Sequence, residues 1–180
     1  MSRLLDVSER LKQRLTTIDG RRFYGYIWIS QLRNLPDTSF VYPRRFLRVS
    51  KNAQVGITDV IRTPGGDHYL VAEHGTEEFG GDVVSKQFRL FKVDKQISWK
   101  RKATVVDPVT GLAKQIGDTL LGTIWCALAP IRMEEDSIHI AKRVYRLITG
   151  AQIQVDDIVD NRLVVRNVET LLGVSIAEVA

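Results

Sequence analysis

The sequence predicts a mainly β protein: a small antiparallel β-barrel or sandwich with an N-terminal helix and long loops or arms. In the last two thirds of the chain, turn signals recur at intervals of roughly 8–12 residues, a spacing typical of barrels and sandwiches. Alternation is strict over residues 86–93, where Phe88 and Leu90 face the side opposite Arg89. Residues 21–30 are rich in aromatic and β-branched types, which favour an extended chain.

The composition is that of an ordinary globular protein, with 44% apolar and 26% charged residues among 180. This excludes a disordered, collagenous or low-complexity chain and allows one domain, or at most two small ones. The net charge of +5 permits an anionic partner without demanding one. Cys126 is the single cysteine, so no internal disulfide can form and we expect a reducing compartment. We expect no membrane helix and no secretory signal, because no apolar run approaches the roughly 20 residues of a span.

Three segments make up the predicted single domain. Residues 1–20 are predicted to form an amphipathic helix, because their leucines recur on one helical face. Residues 21–55 are predicted to be an extended arm or connection. Residues 56–180 are predicted to be the β-barrel or sandwich domain.

Turn residues and alternation divide this last segment into predicted elements. The predicted elements are a hairpin over 56–74 around a Pro-Gly-Gly turn, a mobile Gly-rich acidic loop over 74–85, a strand over 95–106 with a turn at 107–111, and a strand over 119–128 that ends before Pro130. Residues 138–149 fit a helix or a strand equally well.

The helix and the arm carry too many apolar side chains to be left in water, so they pack on the chain's own domain or on a partner. The net charge is positive over 1–55 and 86–116 and negative over 56–85 and 117–180. A basic surface of one copy could therefore face an acidic surface of the next, although a mixed solvated surface is the alternative. The predicted subunit or partner interface comprises Leu4, Leu11, Leu15, Phe23, Tyr26, Trp28, Phe40, Tyr42 and Phe46.

No motif of catalysis, cofactor binding or metal binding is recognisable. The three histidines lie far apart outside any metal-ligand spacing, and Cys126 within an apolar strand reads as a core residue. The acidic pair Asp156-Asp157 reads as a solvated turn, since it lacks the Gly and distal Glu of a calcium loop. We therefore expect no catalytic residues, no cofactor and no metal, and a protein that is not an enzyme.

Nucleic-acid binding is an alternative function. Residues 86–102 interleave basic side chains with Phe88, Phe91 and Trp99, as in OB-like barrels that stack single-stranded bases on aromatic rings. Alternation places some of these rings on the buried face, so a basic outer face around an apolar inner face is the competing interpretation.

The C-terminal third resembles a known family in three phrases. Residues 123–136 read TIWCALAPIRMEED, 141–155 read AKRVYRLITGAQIQV, and 161–179 read NRLVVRNVETLLGVSIAEV. This pattern resembles the head-closure (head–tail adaptor, or stopper) proteins of tailed bacteriophages. The marked positions are Trp125, Pro130, Glu134, Glu135, Thr149, Ile153, Val155 and 162–165. Asp156 stands where the family often has Arg, and residues 1–100 have no counterpart, which leaves room for another neck or tail role such as a tail terminator.

The resemblance implies a structural virion protein without catalysis. Its copies would form a ring between portal and tail that closes the DNA channel and docks the tail. The implied partners are copies of itself, a portal or adaptor protein and a tail protein, with DNA passing through the lumen without sequence-specific binding and no membrane. The implied location is the virion neck, assembled in the host cytoplasm. In such a ring the acidic loop is a candidate channel or gating element, with Glu77, Glu78, Phe79 and Asp82.

Overall fold

The computed structural model describes residues 12–29, 45–135 and 141–180. These residues contain twelve β-strands and no helix, and the strands close into two six-stranded antiparallel barrels. The chain divides into two compact units, one comprising the residues up to Asp94 together with Leu172–Val174 and the other comprising Lys95–Leu171 and Ser175–Ala180. Within the described ranges, no helix has the length and apolar character needed to cross a membrane.

The first barrel has the strand order β1-β2-β3-β6-β5-β4. Its strands are β1 (Gln13–Thr17), β2 (Arg22–Ile29), β3 (Arg45–Ser50), β4 (Val60–Arg62), β5 (His68–Phe79) and β6 (Asp82–Lys92). Alternate side chains fill the barrel, so Phe23 on β2 and Leu47 on β3 are buried while Tyr24 is exposed. The core consists of Leu15, Phe23, Leu47, Val49, Val55, Ile61, Tyr69, Val71, Phe88 and Leu90.

The second barrel has the strand order β10-β11-β12-β9-β8-β7. Its strands are β7 (Lys95–Val106), β8 (Ala113–Glu135), β9 (Ala141–Thr149), β10 (Ile158–Val159), β11 (Leu163–Leu171) and β12 (Val174–Val179). The core consists of Ile97, Ile124, Cys126, Leu147, Ile153, Val159, Leu163, Val165, Ala177 and Val179. Cys126 is thus a buried core residue, as its apolar neighbours predict.

The predicted N-terminal helix is wrong where the chain is described. Residues 13–17 form β1, which pairs with β2 and β4. Leu15 and Thr17 alternate into the barrel and are 0% and 3% exposed. A short isolated helix is marginal in water, whereas β1 gains hydrogen bonds on both sides and buries its apolar face. The leucines predicted on the same helical face, Leu4 and Leu11, lie outside the described residues.

The predicted extended arm is also corrected in part. Residues 22–29 and 45–50 are barrel strands β2 and β3, which pair with each other through Trp28 and Phe46. The single barrel predicted over 56–180 is replaced by two barrels, because strands on both sides of residue 56 close the first one.

Several predicted elements are confirmed and two change. The hairpin around the Pro-Gly-Gly turn is β4–β5, and 95–106 is strand β7. Residues 141–149 are strand, which decides between the two alternatives for that segment. Strand β8 does not end before Pro130; it passes through this proline at a register shift, where a missing backbone N–H is tolerated. The acidic loop predicted over 74–85 is the paired end of β5 and β6.

Candidate assembly surfaces

A two-stranded ribbon extends from the second barrel, and we call residues 101–121 the β7–β8 arm. Its strands pair in register, with Val105 opposite Lys114. At its end, the Asp107 carboxylate accepts hydrogen bonds from the backbone N–H of Val109 (2.8 Å) and of Thr110 (3.4 Å). Hydrogen bonding, with the bond from Val109 as the largest contribution, lowers the pKa of Asp107 below its ordinary value. The same bonds stabilise the predicted turn.

The arm exposes apolar side chains over its length. Val109 is 89% exposed and Leu112 70% exposed at the tip. Nearly half of the exposed large hydrophobic side chains of the described chain belong to this segment: Val105, Val106, Val109, Leu112, Ile116, Leu120 and Leu121. Exposed apolar side chains concentrated in one segment mark an interaction site.

Two β-bulges bend the arm. Register shifts after Trp99 and after Ala103 leave Leu121 and Ile116 as extra residues on β8. Gly122 and Gly117 follow them with φ values of 146° and 141°, a backbone region that glycine adopts without strain.

Both edges of the arm are open among the described strands. Strand β7 pairs with β10 only at Trp99 and Lys100, and β8 pairs with β9 only from Cys126 onward. Residues 101–106 and 113–124 therefore pair only within the β7–β8 hairpin. Their outward backbone N–H and C=O groups are available to another strand.

A buried carboxylate anchors the base of the arm to the loop before β10. Asp157 is 1% exposed and accepts hydrogen bonds from Trp99 Nε1 (2.8 Å), Arg101 Nε (2.7 Å) and Nη2 (2.9 Å), and the backbone N–H of Gln154 (2.8 Å). Burial is the largest single influence and opposes ionisation, but the hydrogen bonds from Arg101, Trp99 and Gln154 together outweigh it, so the pKa of Asp157 is lowered. The prediction of a solvated turn is therefore wrong at Asp157 and holds at exposed Asp156.

A second ribbon extends from the first barrel, and we call residues 73–86 the acidic hairpin. Glu73 pairs with Arg89, and Glu77 pairs with Arg48. Glu77 also accepts a hydrogen bond from Ser85 (2.7 Å), so this carboxylate stiffens the base of the hairpin.

The tip of the acidic hairpin presents the other predicted channel residues to solvent. Phe79 is 73% exposed, and Glu78 and Asp82 beside it are exposed. Neither carboxylate forms an ion pair within the described part of the chain, in contrast to Glu77. The tip therefore combines uncompensated negative charge with an exposed aromatic ring.

Three of the predicted interface residues come together on the outside of the first barrel. Tyr26 stacks on Trp28 with ring centroids 5.6 Å apart, and Trp28 stacks on Phe46 at 5.4 Å. The Arg89 guanidinium lies over the Phe46 ring at 5.7 Å. All three rings are half-buried, and Tyr24 beside them is exposed although sequence reasoning did not single it out.

The remaining predicted interface residues are not on this surface. Leu15 and Phe23 are buried in the core of their own barrel, so they are removed from the predicted interface. Leu4, Leu11, Phe40 and Tyr42 lie outside the described residues.

The aromatic platform of the nucleic-acid alternative is not formed by the predicted rings. Phe88 and Phe91 are 2% and 3% exposed. Trp99 is half-buried and donates its indole N–H to Asp157. Phe88 and Phe91 are therefore not available for bases to stack on.

The titratable groups of the described residues do not converge on one site. No group of three or more His, Cys, Asp or Glu side chains could hold a metal ion there. Burial, and after it the positive charge of Arg62, lowers the pKa of His68 below 6.5. The His74 ring packs against the Phe88 ring, with the ring centroids 5.2 Å apart. An open depression of about 410 Å³ is lined by Arg143, Tyr145, Arg162, Leu163, Arg166 and Ala180.

Comparison with known proteins adds no relative. No protein family, no curated protein and no solved structure matches this chain. Its function is therefore inferred from the surfaces described above together with the sequence resemblance.

Proposed function

We propose that this chain is a non-catalytic structural subunit of the neck of a tailed bacteriophage. Several copies form a ring between portal and tail, close the channel through which DNA passes and dock the tail. Its partners are copies of itself, a portal or adaptor protein and a tail protein. The observation that carries the proposal is the β7–β8 arm, which combines open strand edges with exposed apolar side chains.

The arm is built for contact with another chain. A two-stranded ribbon is only marginally stable in water without further strands or a packing surface. Its exposed apolar residues, among them Val106, Val109 and Leu112, stabilise nothing within the described chain. Covering them with a neighbouring subunit would remove apolar surface from water and complete the edges.

The resemblance to head-closure proteins supports the same proposal. Three of its marked positions lie on strands of the second barrel: Trp125 on β8, Thr149 at the end of β9 and Val165 on β11. A closed barrel that carries protruding ribbons can present a different surface to each of two neighbours, which suits a cyclic head-to-tail interface.

The proposal is tested by deleting the coding sequence of this chain from its genome and examining the particles that are then assembled. We expect DNA-filled heads that lose their DNA and separate, unattached tails. Images of complete particles should show the chain as a ring at the head–tail junction. Normal particles without the chain would overturn the proposal, and a ring elsewhere in the tail would replace it with the tail-terminator role.

A further inference from the structure

We infer that the β7–β8 arm of one copy lies against the acidic hairpin of the next copy, and that this contact closes the ring. The inference rests on the proposed function, because it requires that copies of the chain assemble. The two surfaces that meet are residues 101–121 with the adjoining Lys100 on one subunit and residues 73–86 on its neighbour.

Both surfaces offer open strand edges. Strand β5 pairs with β4 only up to Leu70, and β6 pairs with β3 only from Ser85 to Leu90. Glu73 donates its backbone N–H to the Leu172 carbonyl (2.7 Å), whereas residues 74–79 and 82–84 pair only within the acidic hairpin. Two open ribbons placed edge to edge would form a four-stranded sheet, which is stable where a lone ribbon is not.

The charges of the two surfaces are complementary. Lys100 and Lys102 are two residues apart on β7, so they share one face of the arm. Lys100 has no ion pair within the described residues, whereas Lys102 stands opposite Asp118 in the register of the arm and reaches the exposed Asp156 at 3.8 Å. At the tip of the acidic hairpin, neither Glu78 nor Asp82 pairs with a cation of the described part of the chain. Opposite charges left uncompensated on one chain are satisfied when a copy supplies the other sign.

Exposed apolar side chains accompany the charges on both surfaces. The acidic hairpin exposes Phe79 (73%) and Val84 (43%), and the arm exposes the apolar side chains described above, among them Val109 and Leu112. The outer aromatic surface of the first barrel fits the arm less well. It lies on β2 and β3, of which β3 already pairs on both sides, with β2 and β6, and its charged member is the cation Arg89. The acidic hairpin is thus assigned to the contact between subunits, in place of the channel role expected from the resemblance.

The inference is tested by charge reversal in the full chain. The arm variant carries Lys100→Glu and Lys102→Glu, the hairpin variant carries Glu78→Lys and Asp82→Lys, and the swap variant carries all four. A matched control carries Lys51→Glu and Lys95→Glu, two exposed lysines outside both ribbons. Sedimentation velocity measures the concentration at which half of the chains are assembled, and circular dichroism confirms the β structure of each variant.

We expect the arm variant and the hairpin variant each to raise this concentration at least about tenfold, since like charges then face each other. The control should change it less than about twofold, and the swap variant should restore it, because opposite charges meet again. Restoration by the swap excludes misfolding as the cause of the single losses.

The outcomes that overturn the inference differ from those that overturn the proposed function. If the natural chain assembles and the single variants assemble equally well, the surfaces are wrong and the ring stands. If the natural chain stays monomeric at every concentration and in the presence of portal and tail proteins, both fail. If it stays monomeric but floats with phosphatidylserine vesicles in a manner that depends on Val109 and Leu112, the arm is a lipid-binding element and the inference is overturned.

Discussion

At the scale of single residues, Asp157 shows how the second barrel uses a buried charge. The carboxylate is enclosed, yet it accepts four hydrogen bonds from Trp99, Arg101 and Gln154. Removing one partner of such a pair leaves the other unsatisfied, which costs more than the net value of the interaction.

We expect Asp157→Asn to lower the free energy of unfolding by about 1–3 kcal/mol, because Arg101 loses its carboxylate while remaining partly solvated. Urea denaturation measures the change. The matched control is Asp156→Asn at the neighbouring exposed position, which should change the free energy by less than about 0.5 kcal/mol. Equal effects of the two substitutions would contradict this account.

The lowered pKa of Asp157 also predicts a pH dependence. The unfolded chain binds a proton at Asp157 more readily than the folded chain does, so stability rises with pH in that range. The contribution is fully present above the ordinary value of 3.8 and is lost as the pH falls through the lower pKa of the folded state. Unfolding of the natural chain and of Asp157→Asn, measured from neutral to acid pH, should converge below 3.8. Parallel curves throughout would show that Asp157 does not titrate with folding.

Gly25 is a residue whose missing side chain matters. A methyl group there would lie 2.7 Å from Leu47 Cδ1 and 3.0 Å from Leu15 Cδ1, inside the core of the first barrel. We expect Gly25→Ala to cost about 1–3 kcal/mol of unfolding free energy through overpacking. Gly75→Ala is the control, because open space surrounds that position and its φ is not positive. Thermal or urea unfolding of the Gly25→Ala and Gly75→Ala variants measures the difference. Equal stabilities would show that the core rearranges to accommodate the methyl group at residue 25.

At the scale of the element, we expect the tip of the arm to contribute to self-association but not to the stability of the folded monomer. Val109 and Leu112 are exposed, so Val109→Asp with Leu112→Asp should change the unfolding free energy of the dilute monomer by less than about 0.5 kcal/mol. The same change should weaken self-association, since it places charge on an apolar contact. Leu147→Ala, in the core at 0% exposure, should instead cost about 2–5 kcal/mol. A large loss of monomer stability from the tip substitutions would mean that the tip packs on its own chain.

At the scale of the whole molecule, the proposed contact between oppositely charged ribbons predicts that assembly depends on salt. The Debye length falls from about 30 Å at 0.01 M to about 3 Å at 1 M ionic strength. The contact between Lys100 and Lys102 on one copy and Glu78 and Asp82 on the next should therefore weaken as salt is added. Sedimentation velocity at several salt concentrations measures this. Assembly that strengthens steadily with salt would show that apolar burial alone holds the copies together.

The sequence indicated the fold class and missed parts of the architecture for identifiable reasons. Alternation in β6 and the turn before β5 predicted strands that the structure confirms. Leucine spacing near Leu15 resembles a helical face, although β1 obtains its hydrogen bonds from β2, the next strand, and from β4, which lies far along the chain. Exposure of the β7–β8 arm could not be foreseen, because Val105 and Leu120 are as apolar as core residues.

The sequence by itself determined that this chain is built of antiparallel strands, because alternation and turn chemistry act between neighbouring residues. Only the tertiary structure decided that the strands close into two barrels, that Phe23 and Leu15 are enclosed, and that the arm is not. The physical reason is that closure depends on pairs such as β3 with β6 and β7 with β10. Those hydrogen bonds join residues far apart in the chain, and burial follows from them.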